Sequence, residues 1–504
     1  MQKLSQKGIN VIEETIKEKK ITYKELARYM FLEERQLRRY LKGENNIDID
    51  RLVHLLQRLD LLNKYTPLNI HSIITDNYQK KDSDLIPDNF ELITEWIAVN
   101  HSKYEIMLNK VDELTEAVIK THVCEFKPNS LELGDSELET ISRIDEESGT
   151  LNFKLCFFSN QYSKNTYLLL RYHKRIKDEA TLRVLQYINK YIYDEKVFAD
   201  SDLAECLCPI EISPSQVSGL ATYCKINSLE DKGTLIEYYK FALDVSHYTG
   251  ETVQELISFA YQYGKLQKSI SSLPQDLDIT ELSRNRPAIT FHKQRIEAKV
   301  KSLLERIKEI RDDDIMMNKP SIKISQNDES FFIFIWNEIK EYIEKRPINN
   351  IPLLHDCHPH NTFFRNGQCL LIYDYEAVST TWSPLEAIAF VMHRFIREFY
   401  VKKFMNGENV YPLREEIYNY AEKFLQEYQK GEGPIPVDFT NNDNLLKNIH
   451  LGIKLTNFSK LVSIMRYLIT DIKDPAGRPS NMLKNEYRKF CIFLREADRY
   501  FKFI

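Results

Sequence analysis

The stretch that decides the fold is "LLHDCHPHNTFFRNGQCLLIYDYE", residues 353–376. From His355 to His360 it crowds three histidines, a cysteine and an aspartate into six positions. Two chemistries compete for it. His355, Asp356, Cys357, His358 and His360 are all metal-ligating types. Zinc loops, however, spread their ligands in two separated pairs. Here the ligands surround Pro359, and no second Cys/His pair lies nearby in the sequence. The other reading rests on spacing: Asp356, Asn361 five residues later, and Asp374 thirteen after that. "NTFF" and "CLLIYDY" read as short strands about an Asn366–Gly367 turn. Such a hairpin brings Asn361 and Asp374 together and faces them toward Asp356. Phosphoryl transfer needs this set. One carboxylate orients or accepts the proton of the acceptor hydroxyl. A carboxamide and a second carboxylate are hard oxygen ligands for Mg2+.

Upstream, "LNFKLCFFS" (151–159) and "NTYLLLRYHKR" (165–175) read as β-strands joined by the polar bend "NQYSK". A helix follows at 178–192, with Leu182, Leu185 and Ile188 inward. Short strands run through "CPIEIS" and "GLATYCKI", and after about residue 235 nearly everything reads as helix. The expected body is a small β-rich lobe followed by a large helical one.

At 504 residues the chain has room for several domains, and its apolar content of 43% is ordinary for a globular protein. No apolar run is long enough to span a bilayer, and the polar N-terminus shows no secretory signal. The eight scattered cysteines read as reduced thiols. An intracellular, cytoplasmic protein is therefore expected. Its net charge is −5, yet residues 1–65 hold 14 Lys+Arg against 10 Asp+Glu. Only this basic head suits a polyanion.

The head reads as four or five short helices over 5–62. "TYKELARYM" (22–30) opens with the Thr22/Glu25 spelling of a capping box. "LEERQLRRYLKG" (32–43) follows closely, with Leu32, Leu37 and Leu41 inward. This geometry fits a helix-turn-helix. It resembles the lambda repressor/Cro-like DNA-binding domain at Thr22, Glu25, Leu26, Ala27, Leu37, Arg39 and Gly43. The resemblance implies double-stranded DNA contact through residues 22–43, by Arg35, Gln36, Arg38 and Arg39. A helical bundle that binds protein, or only oligomerises the chain, is the alternative. Residues 66–86 read as a linker. The helical stretch 88–120 reads as a dimerising element or as a prop for the next domain.

"HDCHPHNTFF…LLIYDYE" resembles the motif of the aminoglycoside phosphotransferase/choline kinase superfamily, H-G-D-x-H-x-x-N…I-D-F/W-E. Asp356, His358, Asn361, Asp374 and Glu376 fall on it. Leu354 stands where the family has His, and His355 where it has Gly or Asn. "SPLEAIAFVMHRF" (383–395) resembles the helix that follows, with Glu386 for Asp. "AYQYGKLQKSI" (260–270) resembles the helix ending in L-A-x-L-H, with Ile270 where His is common. The likeness covers about 145–500.

It implies a protein-kinase-like, bilobal α+β fold behind the all-α head. The implied domains are 1–65, a linker at 66–86, a helical connector at 87–122, a small lobe at 123–230 and a large lobe at 231–504. It implies ATP or GTP and Mg2+ as cofactors and, as acceptor, the hydroxyl of a small molecule such as an aminoglycoside, choline or amino sugar. Asp356 is the expected base, braced by His358; Asn361 and Asp374 are the expected metal ligands. Arg171 is the implied phosphate contact, with Glu179 as its helix partner. Tyr223 and Lys225 mark the implied adenine-binding hinge. A regulator that senses nucleotide or metabolite with little turnover is the alternative function.

Overall fold

A computed structural model gives the architecture. The described residues are most of 4–44, Leu55, Leu59 and Leu61, and, with short gaps, 109–503. The expected linker at 66–86 and the helix expected over 88–108 lie outside them.

The head forms α1 (Gln6–Glu18), α2 (Tyr23–Tyr29) and α3 (Glu34–Leu41). The capping box at α2 is made as spelled. Thr22 N donates to Glu25 Oε2 at 2.8 Å, and Glu25 N donates to Thr22 Oγ1 at 3.2 Å. Ile12, Ile16, Leu26, Ala27, Leu37 and Leu41 are buried in one cluster, closed by Leu55, Leu59 and Leu61.

A six-stranded antiparallel sheet forms the small lobe. Its order is β1 (Asn109–Lys110), β3 (Glu137–Asp145), β4 (Thr150–Ser159), β5 (Lys164–His173), β8 (Thr234–Lys240) and β7 (Tyr223–Ile226). Two two-residue strands, β2 (Lys127–Pro128) and β6 (Ile212–Ser213), pair beside it. Phe153, Leu155 and Phe157 of β4 and Leu168 and Leu170 of β5 alternate into one core, as a period of two requires. Helix α4 (Glu113–Glu125) adds Ile119 and Val123 to that core. The small lobe therefore begins before residue 123. It also ends after 230, because β8 pairs with β5 and belongs to the sheet.

Helix α5 (Glu179–Asp194) ties the lobes together. Leu182 is buried in the small-lobe core, Val184, Ile188 and Ile192 are buried in the large-lobe core, and Leu185 packs against both.

The large lobe is built from α6 (Val253–Ser271), α7 (Lys293–Asp312), α8 (Gln326–Lys345), α9 (Pro384–Met405), α10 (Leu413–Lys430), α11 (Asn442–Ile469) and α12 (Ser480–Arg499). Between α8 and α9 lie β9 (Leu353–Leu354), β10 (Thr362–Arg365), β11 (Gln368–Ile372) and β12 (Val378–Ser379). Helices α6 and α10 approach backbone to backbone: a Cβ on Gly264 would lie 2.2 Å from the Tyr428 carbonyl oxygen. That contact admits only glycine.

Among the described residues no helix is long and apolar enough to cross a membrane.

Candidate active site

Asn366 and Gly367 both have positive φ, +52° and +74°, as a two-residue hairpin turn of this hand demands. The turn sets the register of β10 on β11, with Thr362 opposite Ile372 and Phe363 opposite Leu371. One step beyond, Tyr373 N donates to the Asn361 carbonyl at 2.9 Å. Asn361 and the residue before Asp374 are thus joined by their backbones.

Asn361 is buried, and its Nδ2 donates to the Asp356 carbonyl at 3.4 Å. With the amide group used that way, the carboxamide oxygen is the end left for a cation. Asp374 sits in the left-handed region at φ +67°, ψ +76°, which costs an L-residue about 1 kcal/mol or more. Its Oδ1 accepts from Glu376 N at 3.4 Å. These two hard oxygen donors fit a magnesium ion.

The base loop is fastened from α6. Leu354 donates its N–H to Gln267 Oε1 at 2.9 Å, and its carbonyl accepts from Gln267 Nε2 at 2.6 Å and Tyr263 Oη at 2.7 Å. All three residues are buried. Ser258 Oγ on the same helix accepts from Cys369 N at 2.9 Å, which holds the hairpin. Leu354 is therefore anchored through its backbone. Gln267 was not singled out from the sequence. A glutamine on the apolar face of an amphipathic helix was the available signal.

Asp356 has its own partner, Lys460 of α11, with Nζ 3.1 Å from Oδ2. The pair is 104 residues apart, and no local spacing announces it. Arg394 of α9 and Cys357 also lie within electrostatic reach of Asp356.

The imidazoles stack. His247 and His360 have ring centroids 5.6 Å apart, and His358 and His360 5.9 Å, both edge to face. His247 Nδ1 is 2.9 Å from the Thr362 carbonyl. Among the described residues no three His, Cys, Asp or Glu side chains are grouped to hold a metal ion. Burial, then the charge of Arg394, push His358 well below its usual range, so its ring is neutral. Its carbonyl accepts from Asn361 N at 2.8 Å, which braces the loop. Burial and the neighbouring Cys369, Asp356 and Asp374 push the Cys357 thiol far up. It is a packing thiol and no nucleophile.

Arg171 lies on β5 opposite Glu237 of β8. Burial opposes its charge, but Tyr239, Glu237 and Asp374 outweigh that and raise it above its ordinary value. Arg171 of the small lobe therefore lies within electrostatic reach of Asp374 on the large-lobe hairpin. Buried Glu237, itself bonded to Tyr239 Oη at 3.0 Å, is the carboxylate described beside Arg171. Glu179, the expected partner, opens α5, and its side chain is outside the described residues.

Tyr223 and Lys225 lie on β7, at the edge of the sheet. The strand that leads out of the small lobe is β8, and the connection to α6 runs over 241–252. That crossing between the lobes is tied to the β10–β11 hairpin. Ser246 and Phe364 exchange backbone hydrogen bonds at 3.0 and 2.7 Å. Arg365 binds the Asp244 and Leu243 carbonyls, each at 3.3 Å, and Asp202 at 3.1 Å.

In the head, Arg35 and Arg39 of α3 are exposed. Arg38 is held by Glu34 at 2.7 Å and lies 4.2 Å over the Tyr23 ring. Gln36 Nε2 donates to Tyr40 Oη at 3.1 Å.

No protein-family model matches the chain, and no curated protein matches it. Among solved structures it is similar to Plasmodium vivax ethanolamine kinase, at 11% identity over 80% of this chain and 95% of that one, with a TM-score of 0.43. It is also similar to the amicoumacin kinase hAmiN in complex with AMP-PNP, Ca2+ and Ami, at 11% identity over 77% and 94%, TM-score 0.41. A third is the choline kinase LicA from Streptococcus pneumoniae, at 11% identity over 76% and 100%, TM-score 0.38.

Proposed function

We propose that the body is an ATP- or GTP-dependent, magnesium-requiring phosphotransferase acting on the hydroxyl of a small molecule. The observation that carries this reading is the β10–β11 hairpin, which joins Asn361 to the residue before Asp374 and ties the Asn361 side chain to the backbone of Asp356, with Arg171 of the small lobe within electrostatic reach of Asp374. In the reaction, the acceptor oxygen forms its bond to the γ-phosphorus while the bond to the bridging oxygen breaks. The hydroxyl proton passes toward Asp356, and a nucleoside diphosphate leaves. Asn361 and Asp374 would hold the magnesium, which supplies charge neutralisation on the phosphate oxygens. Arg171 steadies the phosphates from above, where a guanidinium fork suits them. His358 keeps the loop in shape and, being neutral, adds no charge. The adenine has its natural place against the 241–252 crossing, where backbone groups of a kinase-type hinge would meet it.

The test is nucleotide consumption by wild type and Asp374→Ala over a panel of amino alcohols, aminoglycosides, sugars and hydroxy acids. Turnover with wild type alone supports the proposal. Binding of Mg-nucleotide with no turnover on any acceptor favours the regulator that only senses nucleotide.

We further propose that the head, 1–65, contacts double-stranded DNA through Arg35 and Arg39, which are exposed on α3 behind a properly capped α2. Arg38 and Gln36, engaged within the head, would serve the helix pair itself. Loss of a gel shift on the protein's own upstream DNA in Arg35→Ala plus Arg39→Ala, with Arg38→Ala less affected, is the expected result. A shift that survives the double variant refutes this contact.

A further inference from the structure

The surroundings of Asp356 on the α9 and α11 side are basic. Phe390 and Arg394 lie four residues apart on α9, so they share a face. The Arg394 guanidinium carbon is 4.5 Å from the centre of the Phe390 ring, and Lys460 Nζ is 5.9 Å from the same centre. Phe493 of α12 lies 5.7 Å from Arg394 on another side. Two cations are therefore gathered at one aromatic ring, and one of them is the partner of Asp356.

The nearby carboxylates are mostly engaged with other cations. Glu398 binds Arg397 at 2.8 Å, and Glu486 binds Lys489 at 3.2 Å. Glu496, buried beside His393, is pushed up to about 8 and is largely neutral at pH 7. His358 brings no negative charge. Arg394 makes no ion pair among the described residues, and its Nε is buried without a hydrogen bond. Asp356 pairs with Lys460 and lies within electrostatic reach of Arg394.

A quaternary ammonium or aminoglycoside would be repelled here. A planar guanidinium with an ammonium beside it instead matches a carboxylate or a phosphate monoester, which it grips bidentately. We propose that the acceptor is a small hydroxyl compound bearing a carboxylate or phosphate, held by Arg394 and Lys460 so that its hydroxyl meets Asp356. This narrows the acceptor within the phosphotransferase reading and rests on it. It departs from the cationic acceptors (aminoglycoside, choline or amino sugar) that the family resemblance implies.

Thermal shift on the full chain separates the two claims. Addition of AMP-PNP with Mg2+ alone must raise the melting temperature in wild type and not in Asp374→Ala; failure here sinks the phosphotransferase reading itself. With nucleotide present, a panel of hydroxy acids and sugar phosphates is compared with amino alcohols and aminoglycosides. At least one anionic member is expected to give a further rise that is lost, or weakened tenfold or more in apparent affinity, in Arg394→Gln. Lys460→Met, a less buried site, should weaken it too. Nucleotide binding should persist in both variants. A rise with cationic or neutral members only, no rise with any anionic member, or a rise unchanged in both variants overturns the inference. Loss of AMP-PNP binding in a folded Arg394→Gln also overturns it, by assigning Arg394 to the nucleotide.

Discussion

Gln267 holds both backbone groups of Leu354, its Oε1 2.9 Å from the N–H and its Nε2 2.6 Å from the carbonyl oxygen. Leu354 is two residues before the base Asp356, so this clamp fixes where the loop starts. Tyr263 reinforces the carbonyl side alone. In Gln267→Leu the carbonyl keeps one partner and the buried N–H keeps none. An orphaned buried donor costs about 1–3 kcal/mol. Urea unfolding should show a loss of that order, and turnover should fall further than nucleotide binding because Asp356 is displaced. A variant with full activity would show that the clamp serves stability only.

Arg171 has Glu237 opposite it on β8 and Asp374 within electrostatic reach. Arg171→Met would leave the buried Glu237 without its cation and remove the phosphate contact. The expected result is an order-of-magnitude weakening of nucleotide binding or more, with a measurable loss of stability of about 1–3 kcal/mol. Arg171→Lys should recover charge but lose the fork, so it should rank between the two. Equal nucleotide affinity in wild type and Arg171→Met would remove Arg171 from the site.

Much of the site is legible in the chain because its elements are local. Asp356, Asn361 and Asp374 lie within one loop and hairpin whose turn, Asn366–Gly367, is spelled by residues that tolerate positive φ. The β4–β5 pair and the capped α2 are legible for the same reason. What fails is long-range. Lys460 reaches Asp356 across 104 residues, and Gln267 reaches Leu354 across 87. Neither pairing leaves a periodic trace. Sheet order is long-range too: β7 and β8 are adjacent in both sequence and space. Only the sheet order shows which of them leaves the lobe.

Glu496 and His393 predict a pH dependence with a defined sign. Burial raises the Glu496 carboxyl from 4.5 to about 8. A raised folded value means its stabilising contribution is complete below about 4.5 and lost as pH climbs to about 8. Burial, then Arg397 and Arg394, lower His393 well below 6.5. Its contribution has the opposite slope: it is present above 6.5 and lost as pH falls. The two oppose each other below 6.5, so the Glu496 effect stands alone between pH 6.5 and 8. Stability should decline there, by at most about 1.4 kcal/mol per pH unit from this group. Urea midpoints across that window should flatten in Glu496→Gln. An identical slope in the variant would assign the decline elsewhere.

Lys460 Nζ holds one oxygen of Asp356, the proposed base, at 3.1 Å. The pair is partly exposed, at 35% and 26%, so its direct Coulomb contribution to stability is small, about 1 kcal/mol or less. Its effect on rate should be larger, because a base that swings about its side-chain bonds spends less time aligned with the proton it takes. Lys460→Met is therefore expected to keep its melting temperature within a few degrees and its nucleotide affinity. Its kcat should drop about tenfold, with Lys460→Arg recovering part of the loss. Asp356→Asn should reduce kcat by about two orders of magnitude or more, since the proton acceptor itself is gone. In the double variant the two kcat losses should not add, because the positioning role of Lys460 acts through Asp356, while its hold on an anionic acceptor is read separately in KM. Additive losses in kcat would show that Lys460 does not position the base.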